Sequence, residues 1–148
     1  RFLGERYGWG HDFGARDCSG FVSEVYRSLG LLLPRNTGDQ ARSPALERQA
    51  LAGMDRTARL AAVAALAPGD LLYLPGHVVM VIGHDEHGPW VIHDVHRLRV
   101  RDAEGALVEW RANGVVVTPL LPLHVDATTD YLDAATTLVR VLPADAPR

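Results

Sequence analysis

The sequence predicts an α+β fold, with helices in the first half and antiparallel strands in the second. Three observations carry that prediction. Apolar residues recur at helical spacing from Phe21 to Leu29. Short apolar runs, separated by Gly, Pro and Asp turns, occupy the chain from Leu71 to Leu121. The 148 residues are 47% hydrophobic and 22% charged, enough to bury one core between two layers. Residues 1–148 therefore read as a single domain.

The elements follow in order. Arg1 to Asp17 is rich in Gly and aromatics (Tyr7, Gly8, Trp9, Gly10), which suits a loop with tight backbone turns. Phe21, Val22, Val25, Tyr26 and Leu29 then mark the apolar face of a helix. Asp17 or Ser19 stands where its N-cap belongs, and Gly30 where a C′ residue belongs. Thr37-x-x-Gln40 has the form of a capping box opening a short helix. Ser43-Pro44 has the form of another helix start, and the Ala/Leu/Arg-rich stretch to Ala67 reads as helix interrupted near Gly53. Its arginines look like packing and solvation. From there the chain reads as strands. Leu71–Leu74 and His77–Gly83 flank Pro75-Gly76, a hairpin signal; Trp90–Val95, Leu98–Arg101, Ala106–Trp110 and Gly114–Leu121 follow, with a turn at Asp102–Gly105. The sequence has no internal repeat.

Formal net charge is −3 and the basic residues are scattered, so nothing points to a nucleic-acid partner. No apolar run approaches the roughly 20 residues that cross a bilayer, and the given residues show no signal-peptide pattern, which says nothing about export. A single cysteine makes no internal disulfide and leaves the redox compartment open. The chain opens at Arg1 without an initiator Met, and is expected to be a piece of a longer precursor.

The lone cysteine lies in "RDCSGF", Arg16 to Phe21, at the start of the first helix. A helix N-terminus carries partial positive charge and free N–H groups, which favour thiolate over a thiol of ordinary pKa roughly 8.5. The same groups can hold an oxyanion. A base, oriented by a third group, must come from elsewhere in the fold. Of seven histidines, His77 opens "GHVVMVIG" directly after a turn and His93 lies in "WVIHDV". If those strands are antiparallel neighbours, the two rings meet near one edge of the sheet. His84 and His87, in "HDEHG", read as solvated; His11, His96 and His124 follow no pattern. On the residues alone, Cys18 fits a small buried hydrophobe as well as a nucleophile. A zinc site built from His93-x-x-His96 with Asp94, His84 or His87 is a further alternative, without the spacing of a zinc hydrolase.

The blocks "YGWG" (Tyr7–Gly10), "RDCSGF", "LPRNTGDQ" (Leu33–Gln40), "PGDLLYLPGHVVMVIG" (Pro68–Gly83) and "VIHDV" (Val91–Val95) occur in an order that resembles the NlpC family of papain-like bacterial cell-wall cysteine peptidases. The similarity is weakest from Pro44 to Leu66 and in the C-terminal tail. It implies a papain-like arrangement, with the nucleophile at a helix N-terminus packed on a C-terminal antiparallel sheet. It implies Cys18 as nucleophile, His77 as general base and His93 as the group that orients the base. Tyr7 is then expected to contact the oxyanion or substrate, and Asp17 the substrate's amine. Arg16 and Ser19 would border the same cleft, with a surface salt bridge and a helix cap as their competing readings.

The implied substrates are peptidoglycan stem peptides or muropeptides, cut between γ-D-glutamate and a diamino acid such as diaminopimelate, with no cofactor or metal. The resemblance further implies upstream wall-binding modules and an extracytoplasmic location (periplasm, cell wall or secreted), with cytoplasmic recycling as an alternative. Where the family has a second Gly after "WG", this chain has His11, which bears on the cleft near Tyr7. Other activities on the same fold are an N-acetylmuramoyl-L-alanine amidase, an acyltransferase and a non-catalytic wall-binding module.

Overall fold

The run Leu71-Leu72-Tyr73-Leu74 is apolar at every position, the pattern of a strand covered on both faces. A computed structural model describes residues 2–141, with residues 11–13 described by their backbone alone, and places that run as strand β2 (Leu71–Leu74), buried throughout. Leu71 and Tyr73 join one core with Phe21, Val22, Tyr26, Val78 and Val139. Leu72 and Leu74 join a second with Val63, Leu66, Val79 and Leu132. The two-residue period of a strand thus divides the apolar content between two layers.

The sheet grows around β2 by antiparallel pairing. Strand β3 (His77–Asp85) returns through Pro75-Gly76, where Gly76 adopts φ +72°, a conformation that glycine takes without a Cβ penalty. Strands β4 (Gly88–Arg101) and β5 (Leu107–Pro119) extend the sheet on that side. On the other side β2 pairs with β6 (Thr137–Arg140), and β6 with β1 (Glu47–Ala50), giving the order β1-β6-β2-β3-β4-β5. Helix α1 (Cys18–Arg27) packs on one face. Helices α3 (Arg56–Ala64) and α4 (Tyr131–Ala134) pack on the other, and α2 (Thr37–Arg42) precedes β1. The α+β prediction holds.

Several element boundaries differ from the sequence reading, each for a physical reason. The helix expected from Ser43-Pro44 is absent. That segment runs instead into β1, an edge strand whose Glu-Arg-Gln-Ala sequence has no apolar alternation to reveal it. Pairing with β6 holds it there, reinforced by Arg140 Nη1 on Glu47 Oε1 at 2.9 Å. Helix resumes only at α3, after the turn at Gly53, where Asp55 accepts from the Ala58 amide at 2.8 Å. Thr37-x-x-Gln40 opens α2 without acting as a capping box: Asn36 holds the N-cap position and makes no side-chain cap bond. Ser28 is the C-cap of α1, so Gly30 (φ +82°) stands two residues beyond the cap, not one.

The four strand segments predicted after Trp90 merge into two long strands, β4 and β5. A register shift between Val95 and Arg97 lets β4 continue through His96, and Asn113, at φ +50°, lets β5 pass its own irregular point. The arginines of the middle segment are structural, as expected. Arg59 alone donates to the carbonyls of Leu51, Met54, Leu132, Asp133 and Ala135, tying α3 to the end of α4.

Gln40 binds α1, α2 and β2 together. Fully buried, its Nε2 donates to Pro34 O at 2.8 Å, Ser23 Oγ at 2.9 Å and Ser19 O at 3.2 Å, while its Oε1 accepts from the Tyr73 hydroxyl at 3.3 Å. A buried polar group left without its partner costs about 1–3 kcal/mol. Gln40→Leu keeps the volume and strands several such groups. Urea unfolding of this variant is expected to show a loss of about 3 kcal/mol; a loss below about 0.5 kcal/mol would show that the amide holds nothing in place.

Candidate active site

The start of α1 is built by Asp17. In extended backbone (φ −100°, ψ −178°), its Oδ1 accepts from the Gly20 amide at 2.8 Å, which makes Asp17 the N-cap and Cys18 the first helical residue. Cys18 is 5% exposed. Its Sγ lies 3.8 Å from the Gly76 carbonyl, toward which the thiol donates, and the Val78 backbone amide bonds the sulfur. The sulfur is therefore bracketed by the residues on either side of His77.

The hairpin turn delivers His77 to the first position of β3, and β4 supplies His93. The last β3–β4 pair on this side is Met80↔Ile92, and just beyond it the two rings meet, His77 Nε2 to His93 Nδ1 at 2.9 Å. They do so between the fourth and fifth strands of six. The expected meeting near an edge of the sheet is thus corrected to its interior, at the end of a paired segment. Because His77 Nε2 is taken by His93, Nδ1 is the nitrogen left to exchange a proton. His93 is fully buried, and its Nε2 lies 3.1 Å from Thr118 Oγ1 on β5. The Tyr131 ring of α4 packs edge-on against both imidazoles, 5.9 and 6.3 Å from their centroids.

Burial sets the charge state. It lowers His77 from 6.5 to about 4, and lowers His93 to about 3 with the help of neighbouring His77. It raises the Cys18 thiol to about 11. Hydrogen bonds from the Val78 and Ser19 amides favour thiolate, but desolvation and the carboxylates of Asp17 and Asp94 outweigh them. Desolvation thus favours a neutral thiol and neutral imidazoles, against the pull of the helix end toward thiolate.

Tyr7 is half-buried on a segment stitched into the fold from both sides. Its amide donates to Asn113 O at 3.1 Å, and the Gly8 amide donates to Arg16 O at 2.7 Å. Gly114 on β5 has no room for a Cβ against the Glu5 carbonyl, so the segment lies directly on the sheet. Burial, with Cys18, Asp17 and Asp94 nearby, raises the Tyr7 phenol to about 12 and keeps it a donor.

Asp17 and Ser19 form one network with Arg35, a residue the sequence reading gave no role. Arg35 Nη2 donates to Asp17 Oδ2 at 2.8 Å; its Nη1 donates to Asp17 Oδ1 at 3.1 Å and Ser19 Oγ at 3.0 Å. Asp17 Oδ2 accepts from the Gly10 amide as well, and Ser19 donates to Asp17 Oδ1, so Ser19 is not the cap. Hydrogen bonds to Arg35 and to the Gly20 and Gly10 amides hold the Asp17 carboxyl below its ordinary value against its burial. Arg16 turns away to pair with Glu5 and Glu24 and to lie over the Phe2 ring, the salt-bridge reading of that residue. The side chain of His11 falls outside the described residues.

The alternative zinc set is not assembled among the described residues. His93 and Asp94 are adjacent on β4 and face opposite layers, His96 bonds Asn113 at 3.0 Å, and His84 and His87 are exposed at the far hairpin. Thr118, Tyr131 and Arg35 are the site residues that sequence reasoning passed over; Asp94 entered it only as a candidate zinc ligand. Arg35 lies within "LPRNTGDQ" and was within reach. Tyr131 lies in the tail, where no pattern marked it.

Asp94 is fully buried, neither carboxylate oxygen has a hydrogen-bond partner among the described residues, and burial, with Glu5 and Asp17 nearby, raises it from 3.8 to about 7. A raised folded-state value means that the native state binds the extra proton between about pH 3.8 and 7, so stability is lost as pH rises through that window. Asp94→Asn is expected to raise Tm relative to wild type at pH 8 and to leave it unchanged near pH 3.5. A difference that does not vary with pH would contradict the assignment.

A family model for NlpC/P60 matches residues 4–117, more than half of the chain. Among solved structures, an NlpC/P60 endopeptidase from Photobacterium damselae subsp. piscicida superposes with a TM-score of 0.71 at 16% identity, over 93% of this chain and 36% of its own. At that identity the likeness concerns the fold. A search of curated proteins finds no match. With α1 set on the antiparallel sheet and Cys18 against the His77 turn, the chain belongs to the NlpC/P60 family, whose members are in general cell-wall cysteine peptidases.

Proposed function

We propose that this protein hydrolyses peptidoglycan stem peptides, with Cys18 as the nucleophile, at the bond between γ-D-glutamate and a diamino acid. The observation that carries the reading is the continuous run from the Cys18 thiol through the turn at Gly76–Val78 to the paired rings of His77 and His93. A thiol, a base and an orienting group are the parts that acyl transfer through a covalent intermediate requires. Family membership supports a peptide of the cell wall as the substrate.

Desolvation of the thiol and of both imidazoles favours moving the proton together with the attack. As Sγ attacks the γ-glutamyl carbonyl, the thiol proton passes to His77 Nδ1, and His93 Nδ1 holds the Nε2–H of the resulting imidazolium. The Cys18 backbone N–H at the helix end and the protonated Tyr7 hydroxyl are the donors assigned to the oxyanion. Collapse of the tetrahedral intermediate breaks the C–N bond, His77 gives its proton to the departing amine, and a thioester on Cys18 remains. Water, deprotonated by His77, releases the acid. Asp17, with Arg35 and Ser19 behind it, is assigned to the substrate's amine.

Incubation with defined stem tri- and tetrapeptides, read by mass spectrometry, tests the reading. Cys18→Ala is expected to lower turnover by at least about a thousandfold with the fold intact; turnover by that variant would remove the assignment. Because His77 stays neutral down to about pH 4, kcat/KM should remain level from pH 8 to about pH 5 and fall only below it. An acid limb at the ordinary imidazole value, roughly 6.5, would contradict a buried base.

A further inference from the structure

Thr118 is the one hydroxyl in the run Val115-Val116-Val117-Thr118-Pro119, on a strand whose neighbouring side chains line an apolar cavity of about 360 Å³ that includes Leu98, Val100 and Leu123. Its Oγ1 lies 3.1 Å from His93 Nε2, and among the described residues that nitrogen is its hydrogen-bonding partner. His93 itself is sealed by β3, β5 and α4. His77 occupies its Nδ1, Thr118 its Nε2, and the edge of Tyr131 closes the remaining side. Burial holds the Tyr131 phenol protonated, raised to about 12, so that ring adds no charge beside His93.

Two arrangements of protons satisfy this string when every group is neutral. In one, His77 Nε2–H donates to His93 Nδ1 and His93 Nε2–H donates to Thr118 Oγ1, leaving a lone pair on His77 Nδ1. In the other, the Thr118 hydroxyl donates to His93 Nε2, His93 Nδ1–H donates to His77 Nε2, and His77 Nδ1 carries the hydrogen. The second arrangement disables the base. The imidazolium state of His77 permits only the first, because its Nε2–H must find an acceptor on His93 Nδ1.

We infer that Thr118 is a positioning residue, whose hydroxyl supplies the acceptor that His93 Nε2–H needs and thereby allows the tautomers that leave His77 Nδ1 free to take the proton of Cys18. The inference rests on the peptidase reading of Cys18 and His77. With valine at 118, the His93 Nε2–H would be buried without an acceptor. Moving that proton to Nδ1 pairs it with His77 Nε2, and the base is lost.

Side-chain ¹⁵N chemical shifts of the histidine-labelled wild-type chain at pH 7 read the tautomers directly. The expected result is protonated Nε2 and unprotonated Nδ1 on both His77 and His93; a protonated Nδ1 on His93 would overturn the inference. Alkylation of the sole cysteine by iodoacetamide, followed from pH 5 to 9, adds a readout that needs no substrate. Thr118→Val, isosteric and suited to a strand, should slow alkylation about tenfold or more and move His93 to the Nδ1–H form, while Thr118→Ser restores both. Unchanged tautomers and alkylation in Thr118→Val would overturn the inference even if stem peptides are cleaved. The expected shifts and alkylation rates in a wild-type chain that cleaves no stem peptide would uphold it and remove only the substrate assignment.

Discussion

The contact between His77 Nε2 and His93 Nδ1, at 2.9 Å, constrains the rest of the site. Two imidazoles that close cannot both be protonated, and their burial between sheet and α4 lowers the affinity of each for a proton. The same burial raises the thiol beside them. Desolvation thus opposes charge on these three groups, beside the Asp17–Arg35 ion pair, and proton transfer and attack are linked in the proposed mechanism.

The positions of these groups follow from ordinary folding forces. The apolar run Leu71–Leu74 demands cover on both faces, and that demand sets α1 on one side and α3 with α4 on the other. The turn at Pro75-Gly76 reverses the chain at the level where α1 begins, so the residue opening β3 lies beside the residue opening the helix. Asp17 then does two things at once: it caps α1 and binds Arg35, which ties the helix start to the loop before α2. Gln40 closes the arrangement from beneath, with four hydrogen bonds in a site closed to water.

Where the sequence carried a strong period or a short-range signal, structure could be read from it. The helix from Cys18, the hairpin at Pro75-Gly76 and the convergence of His77 and His93 are of this kind. β1 was not legible, because an exposed edge strand of charged residues is held by pairing with β6 and not by its own pattern. α4 and β6, of four residues each, were missed because so short a segment shows no period, and with them Tyr131. The desolvation of Cys18 was not legible, because helix-end electrostatics are local and visible in sequence, whereas desolvation depends on everything packed around the sulfur. Thr118 and Asp94 meet the site only through strand register, which no single segment encodes.

The central claim is that Cys18 forms a covalent acyl intermediate. Acid quench during turnover of a γ-D-glutamyl stem peptide, followed by mass mapping of the chain, tests it most directly. The account predicts a thioester on Cys18 whose mass equals the acyl portion of the substrate. Steady product release with Cys18 unmodified at every quench time, and with the adduct on another residue, would contradict it.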